Sequence, residues 1–396
     1  MSLYKKSKWL IYILFSVAVG CLSICYAVTN QPQTIRVAIL DNPNMPPKLW
    51  TWLQYEKSYL RGIEIAKTVS KKNDIHIIYK TFFYGTDPLA ILNEIPKVNA
   101  WHPDIILGPH YSNQFLLLRN YFKDVLVLSS YASDKAINDL PSNFHSISPS
   151  DDTTVKAMSD FIKKKFPNNN ILIINRIDCK DCNDISALFT KMYHESNYKV
   201  QIKQNNFVGE SDNLTNVEKL LDGYQKNDVI IVLAVNLYNY TDLILKITTT
   251  LQDKNPIFVS LVDNWGTPEA GLAISNKMKL PFQAYLVNPL LFNLKSSIFR
   301  DFNQTYFDLY GAYPNENVSY TTFRTLMSAV QAINTCNIQH NKNFDMRTRI
   351  IGCYQNKLKT NPNWFRPGIY GVYLLNAKSG KLIDEMKMVS NLNVSE

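Results

Sequence analysis

The strongest constraint on this chain is a rhythm in its apolar residues. Residues 35–40 (Ile-Arg-Val-Ala-Ile-Leu) read as a buried strand, and residues 54–71 as a helix with apolar positions at Leu60, Ile63, Ile65, Ala66 and Val69. A strand at 75–84, a helix at 89–98, a strand at 104–108, a helix at 113–121 and a strand at 125–129 continue the alternation. Short strands that are apolar throughout must be covered on both faces. With helices between them, that means a parallel sheet sandwiched by helices.

The rhythm then starts again. Helices at 152–165, 184–195 and 214–224 alternate with strands at 170–175, 199–205, 228–234 and 257–261, and a further helix runs to Leu251. A strand at 282–288, helices at 296–310 and 317–335, and a hairpin of 371–375 and 382–389 around Lys378-Ser379-Gly380 follow. The expected architecture is α/β, with two lobes of similar build joined near 144–151. A length of 396 residues and a hydrophobic share of 46% provide two cores and argue against disorder.

The first 27 residues stand apart. Lys5, Lys6 and Lys8 precede an apolar run from Trp9 to Cys25, which ends in Cys25-Tyr26-Ala27 with small residues where a signal peptidase cuts. The expectation is an export signal at 1–27 cleaved after Ala27. An uncleaved anchor helix is the competing reading, and lipid attachment at Cys21 is disfavoured because apolar sequence continues beyond it. Removing those three lysines from the net charge of +9 leaves +6, with the positives scattered and Lys163-Lys164-Lys165 as the longest run. That is a solvated helix end rather than a nucleic-acid face.

Export agrees with the cysteines. Beyond the signal lie Cys179, Cys182, Cys336 and Cys353, an even number suited to disulfides. Cys336 with Cys353 would close a loop of about 16 residues, worth about 3 kcal/mol. Cys179 and Cys182, in Cys-Lys-Asp-Cys, read as a structural disulfide, a thiol pair or a redox pair. No second Cys pair or nearby His completes a zinc site.

Catalytic signatures are absent: there is no Gly-x-Ser-x-Gly and no His-Glu-x-x-His. None of the six histidines is paired at metal-ligand spacing. Neighbouring acids such as Asp151-Asp152 point apart along the chain and suit helix caps. No catalytic residue, metal or cofactor is expected. Two loops draw attention instead: Gly108-Pro109-His110-Tyr111-Ser112-Asn113-Gln114 and Ser129-Ser130-Tyr131-Ala132-Ser133-Asp134. Each follows an apolar strand and places hydroxyls where a helix begins. In open α/β sheets, ligands sit at these carboxyl ends of strands. Simple N-capping by Ser112 and Ser133 is the plainer reading.

At these loops the sequence resembles the type I periplasmic solute-binding proteins of branched-chain amino acid ABC importers. The resemblance rests on Ile105-Ile106-Leu107-Gly108-Pro109 with Ser112, on Leu128-Ser129-Ser130-Tyr131-Ala132-Ser133, on the run from Phe144 to Asp152, and on Tyr320-Thr321-Thr322-Phe323-Arg324. It implies a two-lobed fold with three crossing segments at the hinge. The N-lobe would be 34–148 plus 284–345, and the C-lobe 149–283 plus 346–396.

It also implies a site. Ser112 and Ser133, with the backbone around Tyr131 and Ala132, would hold a ligand carboxylate. Tyr55 would lie over the ligand, and Asp263 would take its ammonium. The family's C-lobe tyrosine falls at Cys182-Asn183, and another aromatic falls near Val235-Asn236, with Tyr238 or Tyr240 as substitutes. The implied protein is a monomeric periplasmic receptor that passes an amino-acid-like ligand to a membrane ABC permease. The alternative is a sensory or scaffolding protein of the same fold that docks to a membrane receptor or envelope enzyme.

Overall fold

A computed structural model describes residues 33–41, 50–84, 88–194, 201–209, 217–222, 224, 229–235, 240–251, 256–261, 283–288, 297–314, 318–336, 345–361, 369–375 and 382–389. Side chains of 50–56, 240–242, 286–288, 369–375 and 382–389, and that of Pro88, lie outside this description.

The first half forms β1 (Gln33–Asp41), α1 (Trp50–Lys71), β2 (Ile75–Phe83), α2 (Ile95–Trp101), β3 (Ile105–Leu107), α3 (Ser112–Leu117), β4 (Leu126–Ser129) and β5 (Phe144–Ser146). These strands make a five-stranded sheet in the order β2-β1-β3-β4-β5, parallel throughout. β1 shows why both faces are covered. Ile35, Val37 and Ile39 pack under α1 with Tyr59 and Ile63, while Ala38 and Leu40 face Ile106, Phe115 and Leu118 on the other side. Each of the Ile, Val, Leu and Phe side chains among these contributes about 1.5–3 kcal/mol by leaving water.

Three later helices complete this lobe: α8 (Ser297–Tyr310), α9 (Val318–Thr335) and α10 (Met346–Thr360). The α9 helix is buried along most of its length and satisfies its hydroxyls locally: Thr322 donates to the Val318 carbonyl and Thr325 to that of Thr321. It packs so closely on α1 that a Cβ on Gly62 would collide with the Ser319 carbonyl and the Thr322 side chain.

The second half repeats the plan with α4 (Asp151–Lys165), β6 (Asn170–Arg176), α5 (Lys180–His194), β7 (Ile202–Phe207), α6 (Val217–Leu220), β8 (Val229–Ala234), α7 (Tyr240–Leu251), β9 (Ile257–Ser260) and β10 (Gln283–Asn288). A hairpin of β11 (Ile369–Leu375) and β12 (Leu382–Val389) joins the edge, giving the order β12-β11-β10-β9-β8-β6-β7. Asp151 and Asp152 open α4 and Lys163–Lys165 close it, matching the helix dipole at both ends. Lys163 also donates to the Met192 carbonyl, so the run is more than a solvated end.

The chain passes between the sheets three times: after β5, between β10 and α8, and between α10 and β11. This is the expected two-lobed, three-crossing α/β fold. The lobe boundaries differ from the expectation in two places. Residues 284–288 belong to the second sheet, because β10 pairs in parallel with β9. Residues 346–360 belong to the first lobe, because Ile350 and Tyr354 of α10 are buried in its core. Among the described residues, no helix is long and apolar enough to cross a membrane.

Candidate functional site

In each sheet the strand order reverses beside the first strand, between β1 and β3 and between β6 and β8. Loops leaving the carboxyl ends there diverge to opposite faces and leave a crevice. The first lobe puts two serine-bearing loops beside its crevice.

The loop after β3 depends on Gly108. Its φ is +95°, its N–H donates to the Leu128 carbonyl at 2.7 Å, and an added Cβ would strike the Leu40 carbonyl. Only glycine fits that combination without strain. Ser112 then opens α3, with Tyr111 in the capping position and no side-chain cap. The Ser112 hydroxyl reaches the next loop instead, and its Oγ accepts the backbone N–H groups of Ser133 at 3.0 Å and Asp134 at 3.1 Å.

Ser129 performs the same task one turn earlier. It is fully buried; its Oγ donates to the Pro109 carbonyl at 2.9 Å and accepts from the amides of Tyr131 and Ala132. Four consecutive loop amides are thus held by two serine oxygens. N-capping by Ser112 and Ser133 does not describe this geometry: Asp134 caps the following short 3-10 turn, through the Ala136 amide.

A hydroxyl oxygen has two acceptor positions and one hydrogen. Both acceptor positions of Ser112 are filled by amides, so its hydrogen is what remains to offer, and no hydrogen bond among the described residues takes it. Ser112, Tyr131 and Ser133 are half-buried, whereas Ala132 is 1% exposed and packs into the core.

Behind the serines lies a buried polar layer. Asp41 ends β1, with one oxygen 3.7 Å from His110 Nε2, and both residues are buried. The His110 ring meets Tyr59 edge-on at 4.4 Å and Tyr131 at 5.7 Å, as a packed loop histidine does. Burial, with Asp41, Tyr131 and Tyr84 adding, pushes the Tyr59 phenol far above its ordinary range. Burial also raises Tyr84, whose hydroxyl donates to Gln114 at 2.8 Å. Both phenols stay protonated; Tyr84 uses its hydrogen on Gln114, whereas the buried Tyr59 hydroxyl meets no hydrogen-bond partner among the described residues. Sequence reasoning singled out none of Asp41, Tyr59 and Tyr84, and named Gln114 only as the last residue of its loop. The Ser129-Ser130 pair directly after an apolar strand was the available signal for Ser129.

On the second lobe, Asn175 near the end of β6 donates to Asn183 at 2.7 Å and Asn206 at 3.2 Å, and Asn183 donates to the Ile177 carbonyl. Arg176 pairs with Asp178 and holds that carboxyl below the usual carboxylate range. The loop then reaches Cys179 and Cys182, whose sulfurs lie within disulfide distance, with Cα atoms 5.3 Å apart. Cys336 and Cys353 are brought together likewise, with Cα atoms 5.8 Å apart, tying α9 to α10.

The two lobes meet at these loops. The Ser133 carbonyl accepts from the Asp151 amide at the start of α4. Burial raises the Asp181 carboxyl above its ordinary range, with Asp134 of the other lobe adding. Asp184 chiefly raises the Lys180 ammonium, and Asp134 adds there too. Of the remaining expected contacts, Tyr55 lies on α1 where side chains are not described, and Asp263 and Tyr238 lie outside the described residues. Tyr240 begins α7, its side chain likewise outside the description. Val235 is fully buried in the second core. The structure therefore brings together Ser112, Tyr131, Ala132 and Ser133.

Residues 53–367 match the family described as the receptor family ligand binding region. The chain belongs to this family. Among solved structures, this family member has the fold of the leucine-binding protein LivK from Thermotoga maritima, with a TM-score of 0.67 at 13% identity over 90% of this chain and 99% of that one. LivJ from Streptococcus pneumoniae, solved with isoleucine, gives 0.65 at 13% identity over 90% and 99%. A solute-binding protein from R. palustris, solved with benzoate, gives 0.67 at 10% identity over 90% and 96%. No curated protein matches the chain in sequence.

Proposed function

We propose that this protein is an extracytoplasmic solute receptor that closes its two lobes on a small carboxylate-bearing ligand, amino-acid-like or related, and delivers it to an ABC permease. The observation that carries this reading is the state of the Ser112 hydroxyl. With both acceptor positions filled by the amides of Ser133 and Asp134, it is oriented as a donor at the crevice. A donor of fixed direction selects an acceptor, and a carboxylate is the strongest small acceptor available. Ser133 stands beside it as a second hydroxyl. The likeness to proteins solved with isoleucine and with benzoate supports a carboxylate as the shared element.

In this reading Tyr55 covers the ligand and Asp263 meets an ammonium. The segment 1–27 directs export and is removed, both cysteine pairs are oxidised in the periplasm, and the receptor acts as a monomer. Closure is a population shift driven by contacts made only when the lobes meet.

The test is a thermal-shift screen of the purified protein against amino acids, their amides, short peptides and aromatic carboxylates, followed by calorimetry on the hits. A carboxylate that raises the melting temperature by mass action supports the proposal. Silence across the panel counts against it and favours docking to a membrane receptor or envelope enzyme.

A further inference from the structure

The Cys179–Cys182 pair has a geometry that a purely structural crosslink does not need. Cys179 immediately precedes α5, and its carbonyl accepts the Asn183 amide as the first bond of that helix. Its sulfur accepts the backbone N–H of Cys182 at 3.2 Å. The sulfur thus occupies the place of a capping oxygen, at the positive end of a 15-residue helix. The two sulfurs are also unequal: Cys182 is fully buried, while Cys179 is half-buried. The pair sits directly after a parallel strand, in a loop that faces the other lobe.

We propose that Cys179 and Cys182 form a reversible thiol–disulfide exchange site, with Cys179 the sulfur that exchanges with an external thiol and Cys182 the resolving one. The thiolate of a small or protein thiol attacks Cys179 Sγ. The bond between the two cysteines breaks, Cys182 leaves with the electron pair and takes a proton from solvent, and Cys179 is left in a mixed disulfide. A second external thiolate attacks the outer sulfur of that bond. It releases Cys179 as a thiolate and carries away the oxidised external thiol. Two electrons pass from two thiols to the protein, and the reverse sequence restores the disulfide. The amide at Cys179 Sγ and the helix end both stabilise sulfur as a thiolate, which makes it a better leaving group when the mixed disulfide resolves. Burial shields Cys182 from attack, which fixes the direction. The site does not depend on what the cleft binds.

The test is a redox titration of the intact wild-type protein in glutathione buffers of rising reduced-to-oxidised ratio, with differential alkylation and peptide mapping of each cysteine. After acid quench and alkylation in denaturant, Cys179 and Cys182 are expected to be found free together while Cys336 and Cys353 stay bonded, and circular dichroism of the unquenched protein stays native. Added oxidised glutathione should then close the pair again. If both pairs resist until the same dithiothreitol concentration, or if Cys179 and Cys182 open only as the protein unfolds, the proposal is overturned.

Roles are read from the adduct. In the wild-type protein quenched during reduction, glutathione is expected on Cys179, and an adduct mainly on Cys182 reverses the assignment and refutes it. Cys182→Ser should gain that adduct at least tenfold faster than Cys179→Ser gains one on Cys182, and equal rates would count against the two distinct roles.

Discussion

Replacing Ser112 by alanine removes one oxygen that performs two tasks, and the structure separates their sizes. Its first task is internal: it accepts the amides of Ser133 and Asp134. Losing both bonds in a half-buried loop, with partial rescue by water, costs about 1–3 kcal/mol of stability. At about 2–4 °C per kcal/mol for chains of this order, that is a readable fall in melting temperature. Its second task, under the proposed function, is to donate to a ligand carboxylate. A hydrogen bond to a charged group is worth about 1.5–3 kcal/mol, so Kd should rise about ten- to 150-fold. Ser133→Ala tests the division. Among the described residues the Ser133 side chain holds no loop amide, so its loss should weaken ligand binding while changing stability by less than about 0.5 kcal/mol. Calorimetry on a ligand found by the screen and thermal unfolding without ligand give the two numbers for each variant. If Ser112→Ala leaves stability untouched, or if both variants keep wild-type affinity, the account of this loop is wrong.

Gly108→Ala should destabilise the first lobe by more than about 1 kcal/mol, because the left-handed backbone and the Leu40 carbonyl both refuse a methyl; wild-type unfolding behaviour would refute this. Gly62→Ala should cost about 1–3 kcal/mol by pushing α1 off α9, read as a lower denaturant midpoint at unchanged slope. Tyr79 donates to Glu64 at 2.6 Å, and burial with that bond pushes its phenol from 10.0 up to about 12. A raised pKa favours the protonated form in the fold, so this stabilisation is complete below pH 10 and is lost as pH rises through about 12. Tyr79→Phe should delete the matching late component of the ultraviolet tyrosinate titration, and an unchanged curve would show that another tyrosine carries it. If Cys336 and Cys353 are bonded, Cys336→Ser should lower stability by about 3 kcal/mol, and free thiols at both positions by peptide mapping would remove the basis for that figure.

Much of the fold was readable because its signals are local. The apolar runs of β3, β4 and β8 announced strands covered on both faces, and the helices between them announced parallel connections. α10 went unread because its buried stripe is thin: Ile350 and Tyr354 stand among charged residues, and only the first core shows what they pack against. β5 is three residues long and read as part of a crossing segment. Both lobe-boundary differences have one origin. Strand 283–288 and helix 346–360 carry no mark of which sheet they join, since pairing partners lie far along the chain.

The candidate site divides in the same way. Local order of residues is enough to put hydroxyls after apolar strands, and that alone pointed to Ser112 and Ser133 and to a crevice at strand ends. Their real task needed three dimensions. Ser112 does not cap its own helix but binds amides 21 and 22 residues away, and Ser129 donates to the Pro109 carbonyl 20 residues back while accepting two amides of its own loop. Asp41, His110 and the tyrosines come together because β1 and β3 are neighbours at the point where strand order reverses. Periodicity is set by bonds between near neighbours, so it is written along the chain; a hydrogen bond between distant loops depends on where the sheet carries them, and that emerges only once the sheet has formed.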